Sequence, residues 1–132
     1  MVHMVPPEFW RWVIGKVREQ YAEMMFVGEI YDVSLYDTYL RYGGFDYLYD
    51  KVSLYDALMA VLCHGAPASV ITSAWQAVAP WRSQMLSFLE NHDELRVASP
   101  QCCGDPFKAL PAMVVAATIS TGPVMVYAGQ EL

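Results

Sequence analysis

The stretch MLSFLENHDELR, residues 85 to 96, decides how this chain is read. A mostly apolar run, Met85 to Leu89, leads straight into Glu90, Asn91, His92, Asp93, Glu94 and Arg96. A short apolar run between turn signals predicts a buried strand, and α/β proteins place their sites at the C-terminal ends of such strands. The stretch MMFVGEIYD, residues 24 to 32, has the same form: Met24 to Val27, a break at Gly28, then Glu29. Two strand ends, each presenting a carboxylate, are therefore expected to face one mouth.

Outward from these two strands the pattern alternates. Pro6, Pro7 and Glu8 open a helix over 7–22, with Trp10, Val13, Ile14, Val17 and Tyr21 at helical spacing. Ser34 is the expected cap of a short helix closing at Gly43-Gly44, and 45–49 alternates as a strand. Ser53 is the expected cap of the next helix, closed by Gly65, and 69–79 reads as a helix stopped by Pro80. After the strand 85–89 come a loop, a helix over 107–120 and a last strand, 124–128. The order α-β-α-β-α-α-β-α-β predicts parallel strands with right-handed crossovers in a single unit spanning 1–132.

Composition bounds the function. The chain has 132 residues, is 55% hydrophobic and carries a net charge of −6. That charge argues against nucleic acid, which needs a basic footprint. The apolar share exceeds the usual ~45–50%, which implies a large interior or apolar surface meant for a partner. The uncharged segment Ala109 to Gln130 is long enough to span a membrane. Pro111 and the run Ser120 to Pro123 instead divide it into a buried helix and a buried strand. No basic and apolar leader opens the sequence, and its compartment is left undetermined. Cys63, Cys102 and Cys103 contain no C-x-x-C and read as free thiols, with neither a disulfide framework nor a zinc site indicated.

Two carboxylates at one mouth suit sugar chemistry, in which one donates a proton to a leaving oxygen and another stabilises an oxocarbenium-like transition state. Partial burial after Gly28 would raise the pKa of Glu29 and suit it as the acid, while Asp93 among polar groups would stay charged. On spacing alone the plainer readings stand ahead: Glu29 starts a loop, and Asn91 or Asp93 caps a following helix.

Three segments alter that balance. FLENHDELR resembles the α-amylase family motif in which a strand runs into Asn-His-Asp. FVGEIYD resembles that family's Gly-Glu segment, and GPVMVYAGQEL, 122 to 132, resembles its final barrel strand. All three stand in the family's order and span nearly the whole chain. The resemblance implies Glu29 as general acid/base, Asp93 as transition-state stabiliser, and His92, Tyr31 and Arg96 as substrate-side groups. The implied fold is a partial TIM (β/α)8 barrel of about four βα units, the fifth to eighth strands. The implied function is part of a retaining α-glucan-active glycoside hydrolase acting on starch or oligosaccharides.

Departures are equally informative. The family's nucleophilic aspartate lies in a Gly-x-Arg-x-Asp segment, and no Arg-x-Asp occurs here. That segment would fall immediately before Met1, so the isolated chain is expected to be inactive. The family's structural calcium draws on the missing half, so neither a calcium site nor another cofactor is expected. Half a barrel would also leave unpaired edges and an apolar face, predicting self-association or a swapped dimer. The alternative is a non-catalytic half-barrel that binds sugar or assembles with a partner. An unrelated small α/β domain with chance motifs is the third reading.

Overall fold

The computed structural model describes residues 1–130. Helix α1 (Pro7–Arg18) starts at Pro7 and carries Glu8 in its first turn and Lys16 and Arg18 in its last, matching the helix dipole. Its inner face lays Ile14, with Trp10 and Val13 beside it, onto the core. The helix stops at Arg18 rather than 22, and Tyr21 points into solvent.

Three strands follow: β1 (Val27–Gly28), β2 (Tyr47–Tyr49) and β3 (Met85–Leu86). They are parallel in the order β1-β2-β3, with Val27 opposite Tyr47 and Leu48 opposite Met85. The sheet is open, and helices and turns make up most of the chain, so the expected partial barrel of four βα units is not formed.

The reason lies in the segment 124–128. It touches the sheet through one parallel bridge, Ser87 to Val124, with Ser87 N–H donating to the Pro123 carbonyl and Met125 N–H to that of Ser87. Beyond Met125 two of its backbone groups are taken by side chains. Tyr127 N–H donates to Gln130 Oε1, and Arg96 donates to the Ala128 carbonyl at 2.7 Å. Backbone groups already paired cannot extend a ladder. The approach itself demands Gly122, because a Cβ there would collide with the carbonyl of Met85. The acidic residue of the GQEL motif, Glu131, lies outside the described residues, as does Leu132.

The other strands are short for a similar reason. Met24 and Met25 are exposed, and only from Phe26 does the run engage its neighbour, its N–H donating to Asp46 Oδ2. Between β1 and β2, Asp32 rather than Ser34 caps the first turn, and Ser34 donates to it. The helical stretch ends in a π-wound turn (Thr38–Gly43) closed by Gly44.

Asp50, not Ser53, caps the next turn: its carboxylate accepts Leu54 N–H at 3.0 Å and the Ser53 hydroxyl. Helix α2 (Asp56–His64) then runs to Gly65, α3 (Ser69–Ala77) precedes a 3-10 turn over Ala79–Gln84, and α4 (Pro106–Thr118) begins at an Asp105 cap. No helix among the described residues is long and apolar enough to cross a membrane.

The core has two parts. One packs Ile14, Tyr36, Tyr39 and Phe45 around the sheet residues Leu48 and Met85. The other joins Leu54 and Leu58 to Leu89, Val97, Ala112 and Ala116. Cys63, in the last turn of α2, is disulfide-bonded to Cys102, which corrects the reading of three free thiols. Adjacency argued against a bridge between Cys102 and Cys103, but it said nothing of a partner 39 residues away that folding brings alongside. Cys103 remains a thiol.

Candidate functional site at the C-terminal edge of the sheet

Glu29 is delivered to the sheet edge by Gly28. A Cβ on Gly28 would stand 2.9 Å from Leu48 Cδ2 and 3.1 Å from Phe45 Cδ1, so the backbone passes tight against β2. Gly28 and Ile30 are both buried, and Glu29 between them turns outward with 22% of its side chain exposed. Its Oε1 accepts the Tyr31 hydroxyl at 2.5 Å, while Oε2 lies 3.5 Å from the Met1 amino group. Burial, then the hydrogen bond to Glu29 and the nearby negative charges, push the Tyr31 phenol far above its ordinary range. Tyr31 therefore stays a proton-bearing donor to Glu29.

The opposite wall is the loop after β3, where burial separates scaffold from presented groups. Glu90 and Asn91 are buried; His92 and Asp93 are exposed. Glu90 accepts Val97 N–H at 2.8 Å and Arg96 Nη1 at 2.6 Å. Asn91 Oδ1 accepts the N–H groups of Asp93 and Glu94, each at 2.9 Å. Asn91 thus caps a turn, as its type favours, although no helix follows. This scaffold holds His92 Nε2 3.4 Å from Asp93 Oδ2.

Between the walls lies a cleft of about 470 Å³, with Trp10, Val27, Glu29, Tyr49, Leu86 and His92 among its lining. Tyr49, at the end of the middle strand, reports on both sides. Its phenol is pushed upward by burial first, then by the charges of Glu29 and Asp93. Tyr31 feels Glu29, Glu94 and Asp93 as well. Both carboxylates therefore act on the same two phenols.

The structure places Glu29 and His92 on one cleft, with Tyr31 bonded to Glu29 and Asp93 beside His92. Arg96 stands apart: it clamps Glu90 to the Ala128 carbonyl, stacks 4.8 Å from the Tyr127 ring centre, and lines a second cavity under α4. That cavity is larger, about 530 Å³, but Glu29 and His92 line the smaller cleft and not this one.

Reading the sequence missed several residues. Trp10 and Tyr49 line the cleft. Lys51 sits 5.8 Å from the Tyr31 ring centre and joins Asp56 at 2.7 Å to Glu94 at 3.3 Å, and Glu94 also accepts the Tyr55 hydroxyl. A signal existed for Tyr49, since FDYLYD ends a strand as the other two motifs do. None existed for Trp10, whose helical spacing also fits core packing.

A carboxylate beside a fixed phenol can give and take a proton at one oxygen, and an exposed His-Asp pair can bind vicinal hydroxyls. Among the described residues, the one His, Cys, Asp or Glu group close enough to hold a metal is Cys63, Cys102 and Cys103, away from this cleft. No family model, no curated protein and no solved structure matches this chain.

Proposed function

We propose that this chain carries the acid/base and sugar-contacting part of a retaining α-glucan-active glycoside hydrolase site. The observation that supports it is that Glu29 and His92 line one cleft at the C-terminal edge of a parallel sheet, with Asp93 3.4 Å from His92. Glu29 donates a proton from its carboxyl to the leaving glycosidic oxygen and later takes one from water. The Tyr31 hydroxyl orients that carboxyl through Oε1, leaving Oε2 for the transfer. Asp93 and His92 hold ring hydroxyls, and the Asp93 charge stabilises the developing oxocarbenium ion. Trp10 and Tyr49 offer aromatic surface for the sugar face. The substrate class is starch or an oligosaccharide derived from it, with no metal or cofactor in the reaction.

The covalent step needs a nucleophilic aspartate from a Gly-x-Arg-x-Asp segment, which these residues lack. The isolated chain is therefore inactive, and the test uses a polypeptide in which such a segment precedes this one. There, Glu29→Gln and Asp93→Asn each lower turnover of an α-glucan by on the order of 1,000-fold or more with the fold intact. Near-parental turnover in either variant overturns the reading.

A further inference from the structure

Cys63, Cys102 and Cys103 converge more closely than a crosslink requires. Their three Sγ atoms all lie within 4.8 Å of one another, and those of Cys102 and Cys103 are 3.7 Å apart. A tetrahedral thiolate site with metal–sulfur bonds of ~2.3 Å separates its sulfurs by about 3.8 Å. A disulfide uses two sulfurs; the third stands at ligand spacing.

The surrounding fold holds that arrangement. Cys102 N–H donates to the Ser99 carbonyl and Cys103 N–H to that of Val97, each at 3.0 Å. Both side chains pack against the Leu54–Leu58 cluster, so their backbone positions do not depend on the bond to Cys63 alone. Cys63 rides on α2, which the same cluster anchors. A cavity of about 250 Å³ opens on Cys63 and Cys102, with His64 and Gln101 on its wall, giving solvent access and room for a fourth ligand. Lys108 donates to the Cys103 carbonyl at 3.4 Å, placing a positive charge beside the sulfurs.

We propose that, once a thiol or phosphine reductant opens the Cys63–Cys102 bond, the three cysteines form a binding site for a thiophilic d10 cation of the zinc–cadmium class. A dithiol gives the disulfide two electrons and two protons and leaves as its own disulfide. A phosphine gives two electrons and takes the oxygen of a water, whose two protons go to the sulfurs. Either route leaves two protein thiols. The cation then displaces one proton from each of the three thiols without changing its own oxidation state, and water completes the shell. This inference is independent of the glycosidase reading.

The test is a titration of the whole chain with cadmium ion alone, after reduction by a phosphine that is removed under inert gas before the cation is added. Uptake is followed by the thiolate-to-cadmium charge-transfer absorption and by Tm. The reduced chain takes up one equivalent and gains Tm. The oxidised chain and reduced Cys103→Ser each bind on the order of 100-fold more weakly or worse. Cys103→Ser keeps the disulfide partners, so its oxidised form reports independently that the fold survives. Absence of the absorption band in the reduced chain, or unchanged binding by Cys103→Ser, overturns the proposal. Uptake without a gain in Tm also overturns it, because the cation would then be held by unfolded chain.

Discussion

The two walls of the cleft are built on different principles. Glu29 is presented by a two-residue edge strand and oriented by a single side-chain hydrogen bond, from Tyr31. His92 and Asp93 are presented by a loop whose own interior is polar: Glu90 and Asn91 accept four hydrogen bonds at the base of the turn. The first wall gets its precision from backbone packing at Gly28, the second from a buried network. On the proposed glycosidase reading, a carboxyl that exchanges protons with substrate and water gains from few fixed partners, and groups that hold hydroxyls in register gain from a rigid base.

Leaving-group dependence separates the walls most strongly. In a polypeptide that supplies the nucleophile, Glu29→Gln recovers turnover on substrates whose leaving group needs no proton, by on the order of 100-fold relative to α-glucan. Asp93→Asn recovers nothing, because its proposed role does not depend on the leaving group. Equal recovery would erase the distinction.

Next in size is stability. Glu90→Ala removes the acceptor for Val97 N–H and leaves Arg96 without its carboxylate, lowering unfolding free energy by about 3 kcal/mol. Tyr31→Phe costs about 1 kcal/mol, since Glu29 regains water. Urea denaturation measures both, and comparable losses would show the walls to be equally dependent on side-chain bonding.

Asp50 stands between the walls, at the end of β2, and sets a smaller effect. Burial raises its carboxyl above the ordinary range, against the lowering by its bonds to Leu54 N–H and Ser53. For a carboxylate with a raised folded pKa, ionisation costs stability. That cost is absent below the unfolded pKa and fully present above the folded one. Asp50→Asn keeps the cap, so it should match the parent in acid and exceed it in stability at neutral pH. Thermal melts across pH 3–7 check the sign, and a variant less stable at neutral pH would reverse it.

Self-association tests the surface rather than the site. Phe107, Leu110 and Val114 form an exposed apolar stripe along α4, with exposed Val126 on the final segment, and β1 is an open sheet edge. We expect light scattering to give a mass above that of a single chain, and a clean monomer would remove this expectation.

Much of the order of elements was legible. The helix starts at Pro7, the breaks at Gly44 and Gly65 and the parallel sense of the strands all follow from local chemistry. Capping was misread twice in the same way, because Asp32 and Asp50 stand just ahead of serines that donate to them. A carboxylate outcompetes a hydroxyl as acceptor for backbone N–H. Strand-end logic put Glu29 and His92 at one cleft, whereas Arg96 lines another cavity. Its sequence neighbours gave no hint that Glu90, buried beneath it, would be its partner.

Sequence alone determined the acidic charge and where the main helices and the first three strands fall, since helix and strand starts depend on neighbours within a turn or two. Tertiary structure decided the rest. It set how far each strand pairs, because that depends on whether distant groups such as Arg96 claim the backbone first. It set which polar side chains are scaffold and which are presented, because burial belongs to the packed chain. And it brought Cys63 to Cys102 and Cys103, because closing a loop of 39 residues is a property of the whole fold.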